Sequence, residues 1–130
     1  MHSAAKNLNK IVKNDLNAVD FFRAKLQFES TPHALKDGME KGAVHLIDLR
    51  DPQSFALEHI PGAVNIPLAE LSKNFSTLPK NKTLVVYCWN ITCAMSTKGA
   101  LQLAEKGFRV QELFGGLAEY KTKFPVEKSA

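Results

Sequence analysis

The chain contains two cysteines, and the first stands where a thiol could do chemistry. Cys88 directly follows the apolar run 83–87 and opens a loop that leads into a predicted helix. Backbone N–H groups and the positive end of a helix dipole stabilise a thiolate, the nucleophilic form of cysteine. Such a thiolate could carry a further sulfur atom as a persulfide, or be oxidised. A cysteine at a strand end can also be a small hydrophobic side chain of the core, and the residues alone leave both interpretations open.

The loop after Cys88 would form the wall of any site built on that thiol. Its other residues, apart from a second cysteine, are Trp89, Asn90, Ile91, Thr92, Ala94 and Met95. Because the loop runs directly into a helix, its backbone N–H groups can converge on a group held by Cys88 and form an anion cradle. Trp89 could shield this pocket from water or pack on the rim of the sheet. Met95 is expected to fill a gap in the core.

Cys93 stands in the same loop, five positions after Cys88. It could attack a persulfide or sulfenate on Cys88, release the outer atom and form a disulfide that a cellular reductant would reopen. It could also be a buried thiol at the start of the helix, because spacing does not fix the Cα separation that a disulfide requires. The chain has no C-x-x-C motif and its four histidines are dispersed. We therefore predict no metal site and no cofactor.

Composition restricts the class of protein and its partners. A chain of 130 residues with 45% hydrophobic residues can bury one core without disulfides or metals. The net charge is +4, but the lysines are scattered, so we expect small anions rather than nucleic acid as partners. No run reaches the ~18 apolar residues of a membrane span, and residues 1–14 lack the apolar stretch of a signal peptide. A cytoplasmic protein that does not bind membranes is expected, and its oligomeric state is not predicted.

Hydrophobic spacing predicts the helices that would surround this loop. Four apolar residues at helical spacing lie within residues 15–28: Leu16, Val19, Phe22 and Leu26. They predict a first helix whose apolar stripe packs on the sheet edge. A second helix is expected between the Thr31-Pro32 start signal and Gly42. A third helix is predicted at about 53–57, after a second start signal at Asp51-Pro52. Further helices are predicted at about 67–71, 96–106 and 116–120.

Short apolar runs predict strands at 44–49, within 59–67, at 83–87 and at 109–114. Strands that alternate with helices indicate an α/β protein with a parallel sheet and helices on both faces. Ligands of such sheets bind beyond the carboxyl ends of the strands, which is where Cys88 lies. We predict a helical extension at 1–43 packed on a domain at 44–124, with a tail at 125–130.

Several motifs resemble those of the rhodanese family. The run L-I-D-L-R at 46–50 is similar to the D-x-R strand end of the family, and E-H-I-P-G-A-V-N-I-P at 58–67 is similar to its G-H-I-P-G-A-x-N-I-P motif. V-V-Y-C at 85–88 resembles the strand that delivers the rhodanese cysteine, and L-F-G-G at 113–116 resembles the L-x-G-G closing turn. The motifs keep their order over about residues 44–120, so the resemblance spans a whole domain.

This resemblance, to single-domain rhodaneses with an N-terminal helical extension, implies a three-layer sandwich around a five-stranded parallel sheet. It implies that Cys88 takes sulfane sulfur from a small donor anion, holds it as a persulfide and passes it to a thiol or a protein acceptor. Asp48 and Arg50 match the D-x-R element, and His59 matches the motif histidine. These three residues are expected to hold loops near the site by ion pairing and hydrogen bonds.

The loop departs from the common family pattern C-R-S-G-N-R-S because it contains neither arginine nor glycine. It is more similar to a subgroup with C-W-G-P-G-C, in which Asn90, Ile91 and Thr92 take the places of G-P-G. β-branched residues adopt positive φ less readily than glycine, so a different cradle geometry is expected. Without an arginine in the loop, thiosulfate is expected to be a poor donor, and phosphatase chemistry is not expected.

Three functions agree with these residues. The first is a sulfurtransferase or sulfur carrier that acts through Cys88. The second is a redox switch built on Cys88 and Cys93, and the third is a non-catalytic rhodanese module that binds a protein partner through the altered loop. The retained cysteine at the strand end favours the first function, and the loop without arginine or glycine favours the other two.

Overall fold

Strands and helices alternate along residues 17–129, which are the residues described by the computed structural model. The strands are β1 (Glu29–Ser30), β2 (Val44–Asp48), β3 (Val64–Asn65), β4 (Thr83–Tyr87) and β5 (Val110–Leu113). The helices are α1 (Ala18–Phe28), α2 (Pro32–Glu40), α3 (Pro52–Leu57), α4 (Met95–Glu105) and α5 (Gly116–Tyr120). A 3-10 helix (Leu68–Thr77) precedes β4.

The five strands form one parallel sheet in the order β1-β5-β4-β2-β3. This confirms the predicted α/β class, with the strand that precedes Cys88 at the centre. Strand β1 is not among the strands predicted from hydrophobic runs. It has only two residues, too few to produce a recognisable alternation, and it is fixed by its pairing with β5, in which Ser30 lies beside Leu113.

The alternating side chains of β4 build a separate core on each face of the sheet. Leu84 and Val86 point to one face, where Leu71 of the 3-10 helix and Leu103 of α4 cover them. The opposite face carries Val85 and Tyr87, which pack in one cluster with Leu35 of α2 and with Leu117 and Tyr120 of α5. Helices therefore cover both faces, as predicted.

The helix start signals read from the sequence are also confirmed. The Thr31 side chain accepts a hydrogen bond from the Ala34 N–H at 3.2 Å, and Asp51 accepts one from the Ser54 N–H at 2.9 Å. Each of these caps is followed by a proline at the first helical position. They set the starts of α2 and α3 on either side of β2.

Helix α1 departs from its prediction. Of the apolar stripe expected to be buried, Val19, Phe22 and Leu26 are instead 58%, 57% and 83% exposed, and Leu16 lies outside the described residues. The helix contacts β1 and β5 but buries none of its own side chains. Spacing predicted the helix correctly, but it cannot show how closely a helix approaches the body of the protein.

The segment after β3 also differs from its prediction. A single helical turn was expected at 67–71, whereas the 3-10 helix continues to Thr77. Side-chain bonds to the backbone accompany the extension, from Asn74 to the Glu70 carbonyl and from Thr77 to the Asn74 carbonyl, each at 2.9 Å. Hydrophobic spacing gives no signal for this extension, because its residues are largely polar. Among residues 17–129, no helix is long and apolar enough to cross a membrane.

Replacing Leu35 with alanine tests whether α2 is part of the folded body. Leu35 is fully buried beneath the sheet. Leu35→Ala should lower the free energy of unfolding by about 2–5 kcal/mol, because it removes buried methyl groups and leaves a cavity. Leu26→Ala, on the exposed side of α1, is the control and should change it by no more than about 0.5 kcal/mol. Urea denaturation measures both changes. If Leu35→Ala and Leu26→Ala lowered the free energy of unfolding equally, burial of Leu35 would not make α2 part of the core in this way.

Candidate active site

Cys88 lies just past the carboxyl end of β4 and is 1% exposed. Its carbonyl accepts a hydrogen bond from the Leu117 N–H at 3.0 Å, and the Trp89 carbonyl accepts one from the Ala118 N–H, also at 3.0 Å. The first turn of α5 therefore anchors the start of the cysteine loop. This attachment uses backbone groups, so it does not depend on which side chains the loop carries.

A glycine allows the two segments to approach each other. Gly116 has a φ of 62°, and a Cβ on it would lie 2.7 Å from the Cys88 carbonyl oxygen and 3.0 Å from the Asn90 nitrogen. Any other residue would therefore be strained in its backbone and would also collide with the loop. The G-G pair was read as a turn signal, but its role in seating the cysteine loop is visible only in the structure.

Asn90 forms the turn of the loop. Its side-chain oxygen accepts hydrogen bonds from the Thr92 N–H at 3.0 Å and from the Thr92 hydroxyl at 2.8 Å. Its backbone carbonyl accepts one from the Cys93 N–H at 3.1 Å. Within residues 17–129, only glycines have positive φ, so the loop turns without the left-handed conformation that glycine would provide. An asparagine side chain that mimics a backbone turn takes over this task.

The turn brings the two cysteines together. The Cys88 and Cys93 sulfur atoms are in contact as a disulfide pair, and their Cα atoms are 6.6 Å apart. That separation lies within the range of about 4.4–6.8 Å that disulfides use. Cys88 is buried, whereas Cys93 is partly exposed. The structure therefore shows the pairing that sequence spacing left open.

The rest of the loop leads to the start of α4. Ile91 is 67% exposed, and Thr92 and Ala94 are exposed as well. Ala94 precedes the helix and provides no side-chain hydrogen bond to its first N–H groups. Those groups lie at the positive end of an 11-residue helix, where negative charge is favoured. Met95 is partly buried at the first position of the helix.

Asp48 and Arg50 form a fully buried ion pair beside the loop. The Arg50 Nε donates to Asp48 Oδ1 at 3.0 Å, and its Nη2 donates to Asp48 Oδ2 at 2.7 Å. Nη2 also donates to the Glu58 carbonyl at 2.6 Å, which ties the segment after α3 to the end of β2. Burial acts to lower the pKa of Arg50, but the hydrogen bond and charge of Asp48 outweigh it and raise that pKa. The guanidinium therefore stays charged.

Trp89 covers this pair. The guanidinium carbon of Arg50 lies 4.4 Å from the centre of the Trp89 ring, in cation–π geometry. Trp89 remains 44% exposed. The Trp89 ring thus packs on Arg50 at the rim of the sheet. The rest of its surface is exposed to solvent beside the loop.

Two residues that were not singled out as site residues complete the arrangement. The Tyr87 hydroxyl accepts a hydrogen bond from the Ile60 N–H at 3.0 Å, and burial followed by the charge of Asp48 raises the pKa of Tyr87. The Asn65 amide donates to the Asp48 carbonyl at 3.1 Å and to the Arg50 carbonyl at 2.8 Å. Membership of the motif at 58–67 is the sequence signal that points to Asn65. No sequence pattern points to a role for the Tyr87 hydroxyl, because Tyr87 is simply the last residue of an apolar strand.

The contacts of His59 join the segment after α3 to Glu127 rather than to the cysteine loop. Its Nδ1 lies 2.7 Å from the Phe55 carbonyl oxygen, and its Nε2 lies 3.1 Å from the Glu127 carboxylate. The ring stacks on Phe55 with centres 3.8 Å apart. Backbone bonds between His59 and Glu127 add a short antiparallel bridge. The contacts of His59 thus fasten residues near the carboxyl terminus to the segment after α3.

A cavity of about 240 Å³ opens beside the loop. Its lining includes Lys25, Glu29, Asn90, Cys93, Thr97 and Glu112. A larger cavity, of about 710 Å³, lies between α1 and α4, and no residue of the cysteine loop lines it. The smaller cavity is therefore the one through which a small molecule could approach the cysteine loop. No group of three potential metal ligands occurs among the described residues.

A protein-family model described as a rhodanese-like domain matches residues 31–123, which is more than half of the chain. The chain belongs to the rhodanese-like domain family. The match begins at Thr31 and therefore includes α2 of this rhodanese-like domain. The boundaries predicted at 1–43, 44–124 and 125–130 stay predictions.

Relatives and solved structures show what the domain is similar to. It is 34% identical over 92 residues to the HTH-type transcriptional regulator Rv0324 of Mycobacterium tuberculosis, covering 70% of this chain but only 41% of the regulator. It is 38% identical over 79 residues to thiosulfate sulfurtransferase PspE of Escherichia coli, covering 59% of this chain and 74% of PspE. The crystal structure of the BH2092 protein from Bacillus halodurans has a TM-score of 0.78 and 32% identity, with 86% of this chain and 85% of that chain covered.

The charge around the rhodanese-like loop follows from these positions. The loop contributes no cation, and Arg50 is already engaged with Asp48 and the Glu58 carbonyl. The charged residues that line the neighbouring cavity are one lysine and two glutamates. An anion at Cys88 would therefore rely on backbone N–H groups and the α4 dipole rather than on a clamping arginine.

Two glycine variants separate backbone strain from contact with the loop. Gly107 has a φ of 87° with no atom within 4 Å of a built Cβ, whereas Gly116 meets the loop backbone. Gly107→Ala should cost about 1–2 kcal/mol of unfolding free energy, the cost of a left-handed residue. Gly116→Ala should cost more and should also raise the rate at which iodoacetamide alkylates Cys88 in the reduced protein, because the displaced loop exposes the sulfur. Alkylation at the same rate in both variants would contradict this role for Gly116.

Proposed function

We propose that this protein is a sulfurtransferase or sulfur carrier that holds sulfane sulfur as a persulfide on Cys88. The observation that carries the proposal is the position of Cys88, at the carboxyl end of the central strand and in a loop that runs into the uncapped start of α4. Membership of the rhodanese-like family and similarity to a protein named thiosulfate sulfurtransferase support it.

The reaction needs the two cysteines in their reduced form. The Cys88 thiolate attacks the outer sulfur of a donor, the bond between that sulfur and the donor breaks, and the donor leaves with its electron pair. Cys88 then carries Cys–S–S⁻, and an acceptor thiolate attacks the outer sulfur and returns Cys88 to a thiolate. Backbone N–H groups and the dipole of α4 stabilise the negative charge on the outer sulfur.

The charges favour some sulfur donors over others. Thiosulfate is a dianion, and the loop offers it no arginine, while Glu29 and Glu112 line the adjacent cavity. Low-molecular-weight persulfides and 3-mercaptopyruvate carry less charge at the reacting end and fit these surroundings better. The cytoplasm, whose reductants keep thiols reduced, is the proposed location.

Loading with sulfur tests the proposal directly. After reduction and exposure to thiosulfate, 3-mercaptopyruvate or glutathione persulfide, the intact mass should rise by one sulfur atom. Cys88→Ser should abolish the increase because it removes the nucleophile, whereas Cys93→Ser, the matched control, should keep it. The proposal fails if no donor produces an adduct, or if Cys88→Ser still carries the sulfur.

A second function, a thiol switch, is favoured by the contact between the two sulfur atoms. In the disulfide form neither cysteine has a thiolate, so Cys88 cannot accept sulfur until the bond is reduced. The switch does not exclude the transfer function, because the same reduced thiol serves both. Oxidation would simply turn the transfer function off.

Mild peroxide should convert the two thiols to one disulfide, with a mass lower by two hydrogens, and block sulfur loading until a reductant is added. In Cys93→Ser the same treatment should instead add oxygen atoms to Cys88, because no partner thiol captures the sulfenate. Intact-mass measurement and a thiol count distinguish these outcomes. Two free thiols that persist after peroxide treatment would rule the switch out.

A further inference from the structure

The two halves of the disulfide differ in access. Cys88 is 1% exposed beneath the loop and does not line the adjacent cavity. Cys93 is partly exposed and contributes to the cavity wall, together with Asn90 of the loop and Thr97 of α4. A thiol that approaches from solvent through this cavity reaches Cys93 and not Cys88.

Opening of the disulfide also requires that the departing sulfur be stabilised as a thiolate. In thiol–disulfide exchange one sulfur is attacked and the other departs with the electron pair, so a site that stabilises the departing thiolate speeds the reaction. The uncapped start of α4 lies two residues beyond Cys93, which is bonded to Cys88. Its N–H groups and dipole favour negative charge at this end of the sheet on whichever sulfur departs, so the difference in access decides which sulfur is attacked.

The charges of the cavity select among incoming thiols. Its charged lining residues are Lys25, Glu29 and Glu112. The Lys25 Nζ pairs with the Glu29 carboxylate at 2.9 Å, so these two charges largely offset each other. Among residues 17–129, Glu112 forms no salt bridge, and the Thr97 hydroxyl that donates to its carboxylate lies 2.7 and 2.9 Å from the two oxygens. One carboxylate charge therefore remains beside Cys93.

We propose that the disulfide is opened by a thiol of neutral or cationic character, which enters this cavity and attacks the Cys93 sulfur. The incoming thiolate forms a new S–S bond to Cys93, the Cys88–Cys93 bond breaks, and Cys88 leaves as a thiolate with the electron pair. A second thiolate then attacks the sulfur of the first on Cys93, which releases a small disulfide and returns Cys93 to a thiolate. Cys88 is thus free to accept sulfane sulfur after the first step.

This inference rests on the proposed thiol switch and adds the identity of the attacked sulfur and the charge class of the reductant. It does not depend on sulfur loading by Cys88. The proposed transfer function can therefore hold even if this inference fails.

The first test identifies the attacked sulfur. Oxidised protein is mixed briefly with cysteamine, the freed thiol is trapped with iodoacetamide, and tandem mass spectrometry locates both groups. The expected product carries cysteamine on Cys93 and the carbamidomethyl group on Cys88. Cysteamine on Cys88 would overturn the inference while leaving the switch intact, whereas failure of peroxide to form any disulfide would overturn both.

The second test measures the effect of charge with three thiols of similar size: cysteamine, 2-mercaptoethanol and 2-mercaptoethanesulfonate. Rates of opening are compared between the unaltered protein and Glu112→Gln, so that the intrinsic reactivity of each thiol cancels. Glutamine keeps an oxygen that can accept from Thr97 but removes the charge. At low ionic strength the ratio of the variant rate to the unaltered rate should be about 9-fold higher for the sulfonate than for cysteamine, with 2-mercaptoethanol between them, because the three attacking thiolates carry increasing negative charge in the order cysteamine, 2-mercaptoethanol, sulfonate.

Glu105→Gln, at the exposed far end of α4, is the matched control because Glu105 does not line the cavity. It should leave all three rates unchanged. The differences for Glu112→Gln should shrink as salt is added, since screening weakens interactions between exposed charges. Equal rate ratios for the three thiols in Glu112→Gln and in the unaltered protein would overturn the inference.

Discussion

The buried pair of Asp48 and Arg50 is the interaction on which the rest of the site depends. Two charged groups at the carboxyl end of β2 are fully removed from solvent and joined by hydrogen bonds from the Arg50 Nε and Nη2 to the Asp48 carboxylate. Removal of one partner from such a pair leaves an uncompensated buried charge and costs about 3–5 kcal/mol, whereas the intact pair contributes little net stability. The pair therefore matters because it holds other groups in position, not because it adds net stability. Arg50 holds the Glu58 carbonyl on one side and lies beneath the Trp89 ring on the other.

The cysteine loop lies beside that ion pair. It is held mainly by groups that do not belong to the loop. The N–H groups at the start of α5 bind the carbonyls of Cys88 and Trp89, and Gly116 allows the close approach. Because these contacts involve the backbone, the loop side chains are free to vary without moving Cys88. This explains how a rhodanese-like domain can carry a loop with neither arginine nor glycine. The Asn90 turn uses that freedom to bring Cys93 onto Cys88.

The electrostatics of the site follow from the same arrangement. The nearest buried cation, Arg50, is neutralised by Asp48, and the lysine of the adjacent cavity is paired with Glu29. In the proposed function, negative charge at Cys88 is therefore stabilised by backbone N–H groups and the peptide dipoles of α4 rather than by a cation. We therefore expect the site to suit a sulfur atom with a single negative charge better than a tetrahedral dianion, and we expect Glu112 to influence which thiols approach Cys93. In the proposed function, transfer chemistry and redox control share one loop.

The sequence by itself determined the parts of this protein that depend on local patterns. The apolar run before Cys88 predicted the central strand, Thr31-Pro32 and Asp51-Pro52 predicted the helix starts, and the motifs predicted the parallel sheet and the position of Cys88. These predictions succeed because strand propensity, capping and turn formation act between residues close together in the chain. The functional role of each site residue stays a prediction.

Only the tertiary structure decided the features that join distant residues. The two residues of β1 become a strand because β5 lies beside them, and α1 keeps its apolar stripe exposed because its contacts with β1 and β5 bury none of its side chains. Tyr87 reaches the Ile60 N–H, Gly116 faces the Cys88 carbonyl, and Glu112 lines the cavity beside Cys93. No spacing rule covers such contacts, because they arise where separate chain segments pack together. The pairing of Cys88 with Cys93 is of the same kind, since five residues permit it but the Asn90 turn and the anchoring by α5 bring it about.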